Sequence, residues 1–504
     1  MTADQMTSPG TLHLISGGRN KRQRKAAAAN RPETTLPITP PVIPDAPALA
    51  TELARLYALA LLRDVPLHRM SDPDTAVRID GATRITLHAL TAEIAQLPWP
   101  HPQFRQATVA SADNLSSLSV PGHADHPPVS RGDGQRLLPE LLGLPRPSVF
   151  LEAGVLGATA PAPDIAPALP PDNAPMPHWL AWAETAIGAC LPQPGPDRRA
   201  APVRTLSDLA AQAHLGDPRQ QPLSLALMLL GQGQPFDESL AAASHRWTGP
   251  RLMALMVTAA RRATRALHRQ DRRAARDARP AVVAATLALM HESEAMRGGP
   301  DTRRLTEALA LLRRDTPNLL TWIGRLNAAT GTGGFALPNR DGTETAGWTP
   351  LQFRENLMLP PLHHDGAALR PADAADRGVI LGALVTLLKA FFAGGDDSRQ
   401  TDEFDALAQN LVVGRSVAGG FYGYENAQHL RLGEAVALEL LRETLEQDGT
   451  AAGLTLRGFD GRTLALRAEA RGPGPVTVRL LKDGVPQLWP ASGIATPPEL
   501  VAAI

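Results

Sequence analysis

The chain has 504 residues, of which 43% are hydrophobic and 20% charged, so it is long enough to bury a sizeable core. Its 50 basic and 50 acidic side chains cancel, which excludes the strong positive charge typical of nucleic-acid-binding proteins. The single cysteine, Cys190, excludes an intramolecular disulfide framework. No run approaches the roughly 20 apolar residues of a membrane span. The N-terminus lacks the apolar core of a signal peptide, so we expect a soluble, cytoplasmic protein.

The first 36 residues contain a cluster of basic side chains around an alanine run, and we interpret residues 1–36 as a flexible basic arm. A charge run of this kind is most often simply solvated, and binding to nucleic acid or acidic lipid is the alternative interpretation. The proline-rich stretch that follows is predicted to be extended. We predict that residues 37–504 form a single domain with long loops.

Apolar residues recur at the helical period along most of the chain, starting at residues 50–63, where Leu53, Leu56 and Leu61 share one face. The signal is weak between 71 and 144, where we predict one helix at 87–97. Further helices are predicted at 178–187, 204–214, 222–230, 251–278, 280–296, 303–314, 315–329, 382–392 and 428–446.

The tail changes from the helical period to an alternating one. Apolar residues alternate at 454–456 and 464–466, on either side of a turn that contains Asp460 and Gly461. A second turn, Asp483-Gly484, separates 476–480 from 485–489. Asp-Gly pairs between alternating runs indicate hairpins, so region 453–490 is predicted to form a small β unit that caps the helical body.

A specific pattern lies between residues 414 and 434. It consists of Gly414-Arg415, Ala418-Gly419, Tyr422 and then Leu430-x-Leu432-Gly433-Glu434. This pattern resembles the motifs Gly-Arg-x-x-Ala-Gly-x-His-Tyr and Leu-x-Leu-Gly-Glu of the vanadium-dependent haloperoxidases. Residues 356–392 also resemble the neighbouring part of that family, at Leu359-Pro360 and in the apolar helix that ends at Phe392.

The resemblance implies a mostly α-helical fold, the vanadium haloperoxidase bundle, with small β hairpins near the C-terminus. This fold is related to that of the acid phosphatases, with which the family shares an anion site. It also implies self-association, since members of the family form dimers or larger assemblies in which the N-terminal arm clasps a neighbouring subunit.

The resemblance also assigns the family's site residue by residue, and most of the site residues have changed. The vanadate-ligating histidine falls on Phe421, whose phenyl ring cannot ligate an oxyanion. The acid–base histidine falls on Arg377, which stays protonated near neutral pH. The family's lysine falls on Asp271, which reverses the charge. Two oxyanion-binding arginines are retained, Arg279 and Arg415.

Three acidic side chains occupy positions that line the family's site, namely Asp271, Asp376 and Glu425. An unpaired buried charge costs several kcal/mol, so our hypothesis is that these acids pair with the arginines and plug the pocket; the arginines are Arg279, Arg377 and Arg415. One alternative is that the same arginines still bind phosphate, sulfate or a substrate carboxylate. Another is that the vanadate ligand has moved to a different histidine, the candidates being His363, His364 and His429. The plainest alternative is that these are ordinary structural charges.

We therefore predict a catalytically degenerate haloperoxidase-like protein that has lost vanadate and binds no other cofactor or metal. It would act as a structural or regulatory subunit of a homo- or hetero-oligomer, with an active homologue as one candidate partner. The competing class is an enzyme that uses displaced ligands or a cofactor-free anion pocket lined by Arg279, Arg377 and Arg415.

Overall fold

The computed structural model describes residues 45–70, 72–97, 203–215, 217–238, 240, 246–267, 279–292, 300–330, 356–360, 375–392, 398–449, 451–469 and 476–489. All of these residues fall within one unit, Ile38–Pro490. The predicted arm, residues 1–36, and the predicted helix at 178–187 lie outside the described residues.

Within the described residues the chain forms eleven α-helices. They are α1 Ala46–Leu62, α2 Leu87–Ile94, α3 Leu206–Leu215, α4 Gln220–Gly231, α5 Gly249–Leu267, α6 Pro280–Glu292, α7 Pro300–Asp315, α8 Pro317–Thr330, α9 Ala375–Phe392, α10 Ser398–Val417 and α11 Gly423–Asp448. A short antiparallel pair, β1 Ala76–Arg78 and β2 Arg84–Thr86, precedes α2. Among the described helices, none combines the length and the apolar character that crossing a membrane requires.

Helix α9 forms the centre of the bundle. Every residue from Gly378 to Phe392 is buried, which is typical of a helix that is apolar all round. It packs most extensively against α11 and α5. The α9–α11 crossing is close because glycines face the other backbone: a Cβ on Gly382 would lie 2.3 Å from the Leu430 carbonyl oxygen, and one on Gly433 would lie 2.2 Å from that of Val379.

The C-terminal strands form a four-stranded antiparallel sheet in the order β3 Ala452–Arg457, β4 Thr463–Glu469, β5 Thr477–Lys482 and β6 Val485–Gln487. One face is apolar, because Leu454, Leu466 and Leu480 are buried and paired across β3, β4 and β5. The β5–β6 turn has positive φ at both Asp483 and Gly484, the conformation that an Asp-Gly pair adopts readily.

A group of charged side chains, of which Lys389 and Asp405 are buried, joins this sheet to the helices. The fully buried ammonium of Lys389, on α9, forms an ion pair with Asp405 of α10, donates to the Arg457 carbonyl oxygen at 3.0 Å, and lies 3.9 Å from the ring centroid of Phe459. The Arg457 guanidinium contacts Asp405 at 3.0 Å and also Asp402. We call Lys389, Asp402, Asp405 and Arg457 the Lys389 cluster.

Glu434 of α11 lies beside this cluster. Its carboxylate accepts the Phe459 backbone N–H at 2.8 Å. Burial raises the pKa of Glu434 to about 7, against the opposing effects of the Lys389 charge and of that hydrogen bond. The contact links α11 to the loop between β3 and β4, so three central helices and the sheet meet here.

The predicted fold class is confirmed, because the described residues are mostly helical and carry a small antiparallel sheet near the C-terminus. Helix α11 begins at Gly423 rather than at the predicted 428. Its first turn lacks an apolar period and is instead held by polar contacts, in which Glu425 accepts the Tyr422 N–H at 2.8 Å and Glu52 accepts the Gly423 N–H at 2.9 Å.

Candidate functional site

The candidate site is built on the turn between α10 and α11. Gly419 has a φ of +70°, the Gly419 N–H donates to the Ser416 carbonyl oxygen at 2.8 Å, and the Gly420 N–H donates to that of Arg415 at 3.2 Å. This pair of hydrogen bonds is the Schellman motif, in which glycine provides the left-handed residue that ends a helix. The chain therefore reverses just after Arg415, and Phe421 returns toward it.

Arg415 is the buried charge at the centre of the site, with 2% of its surface exposed. Its guanidinium carbon lies 3.9 Å from the ring centroid of Phe421, and its Nη2 donates to His429 Nδ1 at 3.2 Å. A Cβ on Gly378 would lie 2.1 Å from Nη1, so the glycine provides the space that the guanidinium occupies. We call Arg415, Phe421, Glu425 and His429 the Arg415 cluster.

The rings of Phe421 and His429 contact each other edge to face, with centroids 5.6 Å apart. Burial and the neighbouring Arg415 charge hold the pKa of His429 well below its ordinary value. Because a guanidinium can only donate, Nδ1 must act as the acceptor. The imidazole is therefore neutral, and its Nδ1 lone pair is engaged by Arg415.

Glu425 contributes the carboxyl group of the cluster. Burial raises its pKa to about 7, and the Glu52 carboxylate adds to that effect. The hydrogen bond from the Tyr422 N–H and the charges of Arg415 and Arg279 oppose the rise. Both predicted arginines are thus near enough to Glu425 to act on its ionisation.

On its other side Arg415 lines a cleft that it shares with Arg377. The cleft encloses about 430 Å³, including its open mouth, and Arg377 Nη1 donates to the Ala213 carbonyl oxygen at 3.4 Å. Its polar rim includes Asp217, which Arg219 holds by hydrogen bonds of 2.7 to 3.1 Å. The cleft lies between the α3–α4 connection and helices α9 and α10; its remaining lining residues are Gln212, Pro218, Gln220, Gln221, Gly378, Leu381 and Leu411.

The structure brings most of the predicted site residues together. Arg279 is buried immediately before α6, whose Ala281 N–H donates to the Gly419 carbonyl oxygen at 3.2 Å. Asp376 lies in the first turn of α9, but its side chain is outside the described residues, as are Asp271, His363 and His364. The proposed pairing of the acids with the arginines therefore stays a prediction. Within the described part of the chain, no three His, Cys, Asp or Glu side chains gather as metal ligands.

Two features were missed by reasoning from the sequence. His429 was considered only as a displaced ligand, although Glu425 and His429 are four residues apart and so share a face of α11. Asp217 and Arg219 gave no signal at all, because they are about 160 residues from Arg377 along the chain and meet it only through the packing of α3 and α4 on α9 and α10.

Comparison with known proteins shows which proteins this chain resembles. The chain is 25% identical over 301 residues to a vanadium-dependent bromoperoxidase from Corallina pilulifera, a match covering 52% of this chain and 46% of that protein. A second, from Corallina officinalis, is 29% identical over 22% of each chain. The chain thus matches less than half of the length of these two Corallina proteins. A third, from Ascophyllum nodosum, is 24% identical over 86% of this chain and 74% of its own length.

A solved structure matches over a similar extent. It is the homohexameric second vanadate-dependent bromoperoxidase from Ascophyllum nodosum, with a TM-score of 0.54, 16% sequence identity, and coverage of 89% of this chain and 75% of that one. The chain is vanadium haloperoxidase-like. No family model matches the haloperoxidase-like chain. The structural match shows the shared fold, within which the Arg415 cluster lies.

Proposed function

We propose that this haloperoxidase-like protein is catalytically degenerate and acts as a structural or regulatory subunit. One observation carries the proposal: the phenyl ring of Phe421 covers the Arg415 guanidinium at 3.9 Å. The family resemblance places the vanadate-ligating histidine at Phe421, and a phenyl ring offers no lone pair. A cation–π contact of this kind stabilises the buried arginine and places a ring without a lone pair beside it.

The neighbouring side chains fit vanadate poorly. The nearest imidazole, His429, has Nδ1 engaged by Arg415 at 3.2 Å, so it could act as a displaced ligand only after that hydrogen bond breaks. Arg377, assigned to the position of the acid–base histidine, cannot exchange a proton near neutral pH. The side chains around Arg415 therefore do not fit vanadate.

The subunit role is supported by the intact helical core and by the hexameric assembly of the structural relative. Replacing the ligating histidine by Phe421 does not alter the close crossing of α9 and α11. The helical scaffold is therefore retained, and it could assemble with identical chains or with an active homologue. We expect light scattering of the purified protein to give the mass of a dimer or larger assembly. A monomer at every concentration tested would argue against the self-associating form of the proposal.

The proposal can be tested by restoring the family's residue types at the three positions where this chain departs from them. The variant Phe421→His, Arg377→His and Asp271→Lys restores the residue types that the family resemblance assigns to ligation, proton transfer and charge neutralisation. We expect it to retain vanadate after desalting and to oxidise bromide with peroxide. The matched control carries Phe421→Leu with the same two other changes, which opens the ring position without a ligand. Equal vanadium retention in both variants would show that Phe421 is not the ligand position.

A second candidate function is anion binding without vanadate. The observation in its favour is the cleft lined by both Arg377 and Arg415, because guanidinium groups recognise carboxylates and phosphates. In this reading the protein is an enzyme or a sensor whose ligand enters from the α3–α4 side, away from Phe421. A cytoplasmic location, which suits either function, stays a prediction.

A further inference from the structure

We propose that the outer face of helix α4 is a self-association surface, on which α4 of a second copy of this chain packs antiparallel across a two-fold axis. The inference deepens the self-association proposed above and rests on it. It adds the surface that is used and the orientation of the partner.

Helix α4 combines a surface position with an apolar composition. Among the eleven described helices it alone contains no Asp, Glu, Lys or Arg. Its inner face is buried in the protein, at Pro222, Leu225, Ala226 and Leu229. Its outer face carries Leu227, which is 52% exposed. A helix that is apolar all round is typically buried on every side, so the outer face has the composition of a surface that a further partner covers.

The spacing of the outer leucines identifies the kind of partner. Leu223, Leu227 and Leu230 are four and then three residues apart, which is the spacing of a seam between two packed helices. Leu223 and Leu230 are both partly exposed. A Cβ on Gly231, next to the end of the seam, would meet nothing within 4 Å, so the space beside it is open. This face therefore fits another helix that carries a leucine seam.

The lack of charge favours a second α4 as that helix. In a two-fold contact the same residues face each other from both copies, so a charge near the axis would meet its own like charge. The α4 seam contains none, and Leu227 lies between Leu223 and Leu230, so two antiparallel copies match leucine to leucine. The only charges next to the start of the helix, Asp217 and Arg219, already pair with each other at 2.7 Å. The homohexameric relative used above for self-association shares this fold.

Cysteine cross-linking tests the contact. In a Cys190→Ser background, Leu227→Cys places a thiol at the centre of the seam, and packed helices have axes only about 8 to 10 Å apart. We expect a short bis-maleimide to join two chains of this variant, as seen on a denaturing gel. Val257→Cys on α5 is the matched control, because Val257 is 51% exposed but lies outside the seam.

The control should give about tenfold less covalent dimer at the same protein concentration, since its thiols are not held close together. No cross-linking of Leu227→Cys, or equal cross-linking of both variants, would overturn the proposal.

A charge at the same position gives an independent test. Leu227→Glu places two carboxylates against each other across the two-fold axis, in a contact that excludes water. Light scattering should then give about half the mass of the unaltered assembly or less. Leu488→Glu, at a residue that is 71% exposed beyond β6, should leave the mass unchanged. An unchanged mass in Leu227→Glu would contradict this inference alone, whereas a monomeric unaltered protein would contradict the self-association proposal as well.

Discussion

Lys389 and Arg415 are both buried cations, and their surroundings differ. In the Lys389 cluster the ammonium meets the Asp405 carboxylate, and Arg457 is bound by both Asp405 and Asp402. In the Arg415 cluster the guanidinium meets the phenyl ring of Phe421 and a neutral imidazole, and the nearby carboxyl of Glu425 has a pKa of about 7. The first region has the direct ion pairs expected of a structural element.

The difference indicates what each region is for. Buried ion pairs with good geometry tie elements together, and breaking one leaves an uncompensated charge. An arginine held by an aromatic ring is also stabilised, and the Arg415 side chain in addition lines the cleft between α3, α4, α9 and α10. We infer that the Lys389 cluster maintains the fold, while the Arg415 cluster is the part of the fold in which we propose that vanadate binding was lost.

The largest predicted effect comes from removing the carboxylate of the Lys389 cluster. Asp405→Ala should lower the free energy of unfolding by about 3 to 5 kcal/mol, because the fully buried Lys389 ammonium loses its counter-ion. Denaturant titration measures the change. The double substitution Lys389→Met with Asp405→Leu should be less damaging than Asp405→Ala alone. If both variants were equally unstable, lost packing rather than stranded charge would be the cause.

A smaller effect is expected from pH at Glu434. Burial raises its pKa to about 7, so between about pH 4.5 and pH 7 the folded protein keeps a proton that the unfolded chain has released. The proton on Glu434 contributes its full stabilisation below about pH 4.5. As the pH rises to about 7 this contribution is lost, which lowers the free energy of unfolding by up to about 3 kcal/mol. Denaturant titrations across this range should show Glu434→Gln gaining stability relative to the unaltered protein as the pH rises. Glu307→Gln, on α7, is the exposed control, and a constant difference for Glu434→Gln would contradict the account.

The Arg415 cluster can be disturbed through Gly378. A Cβ there would lie 2.1 Å from Arg415 Nη1 and 3.0 Å from the His429 Cβ, so Gly378→Ala must displace one of them, at a cost of about 1 to 3 kcal/mol. Gly324→Ala on α8 is the matched control, since its nearest neighbour would be 3.9 Å away. The control should be neutral or stabilising by up to about 1 kcal/mol. Equal melting temperatures for the two variants would show that Arg415 is held loosely.

The smallest effect is expected at the surface. Arg303 and Glu307 on α7 form an exposed pair at 2.8 Å, four residues apart. Glu307→Ala should change the free energy of unfolding by less than about 0.5 kcal/mol. A loss comparable to that of Asp405→Ala would mean that burial does not separate structural from incidental ion pairs in this protein.

Much of the fold could be predicted from the sequence, because it depends on signals within short stretches. The apolar run of α9 and the Asp-Gly turn at 483–484 each determine their element locally. The Arg415 cluster was partly predictable for the same reason, since Arg415, Phe421 and Glu425 lie within one helix–turn–helix stretch. The cleft was not, because Asp217 and Arg377 meet only through packing between helices far apart in the chain.

The most direct test of the central claim is the vanadium content of the unaltered protein. The protein would be incubated with vanadate, desalted and subjected to elemental analysis, followed by a bromide-dependent peroxidation assay. The account predicts no retained vanadium and no turnover, because the Phe421 ring lies at the ligand position that the resemblance assigns. Retained vanadium with bromide turnover would contradict it and would point to His363, His364 or His429 as the ligand.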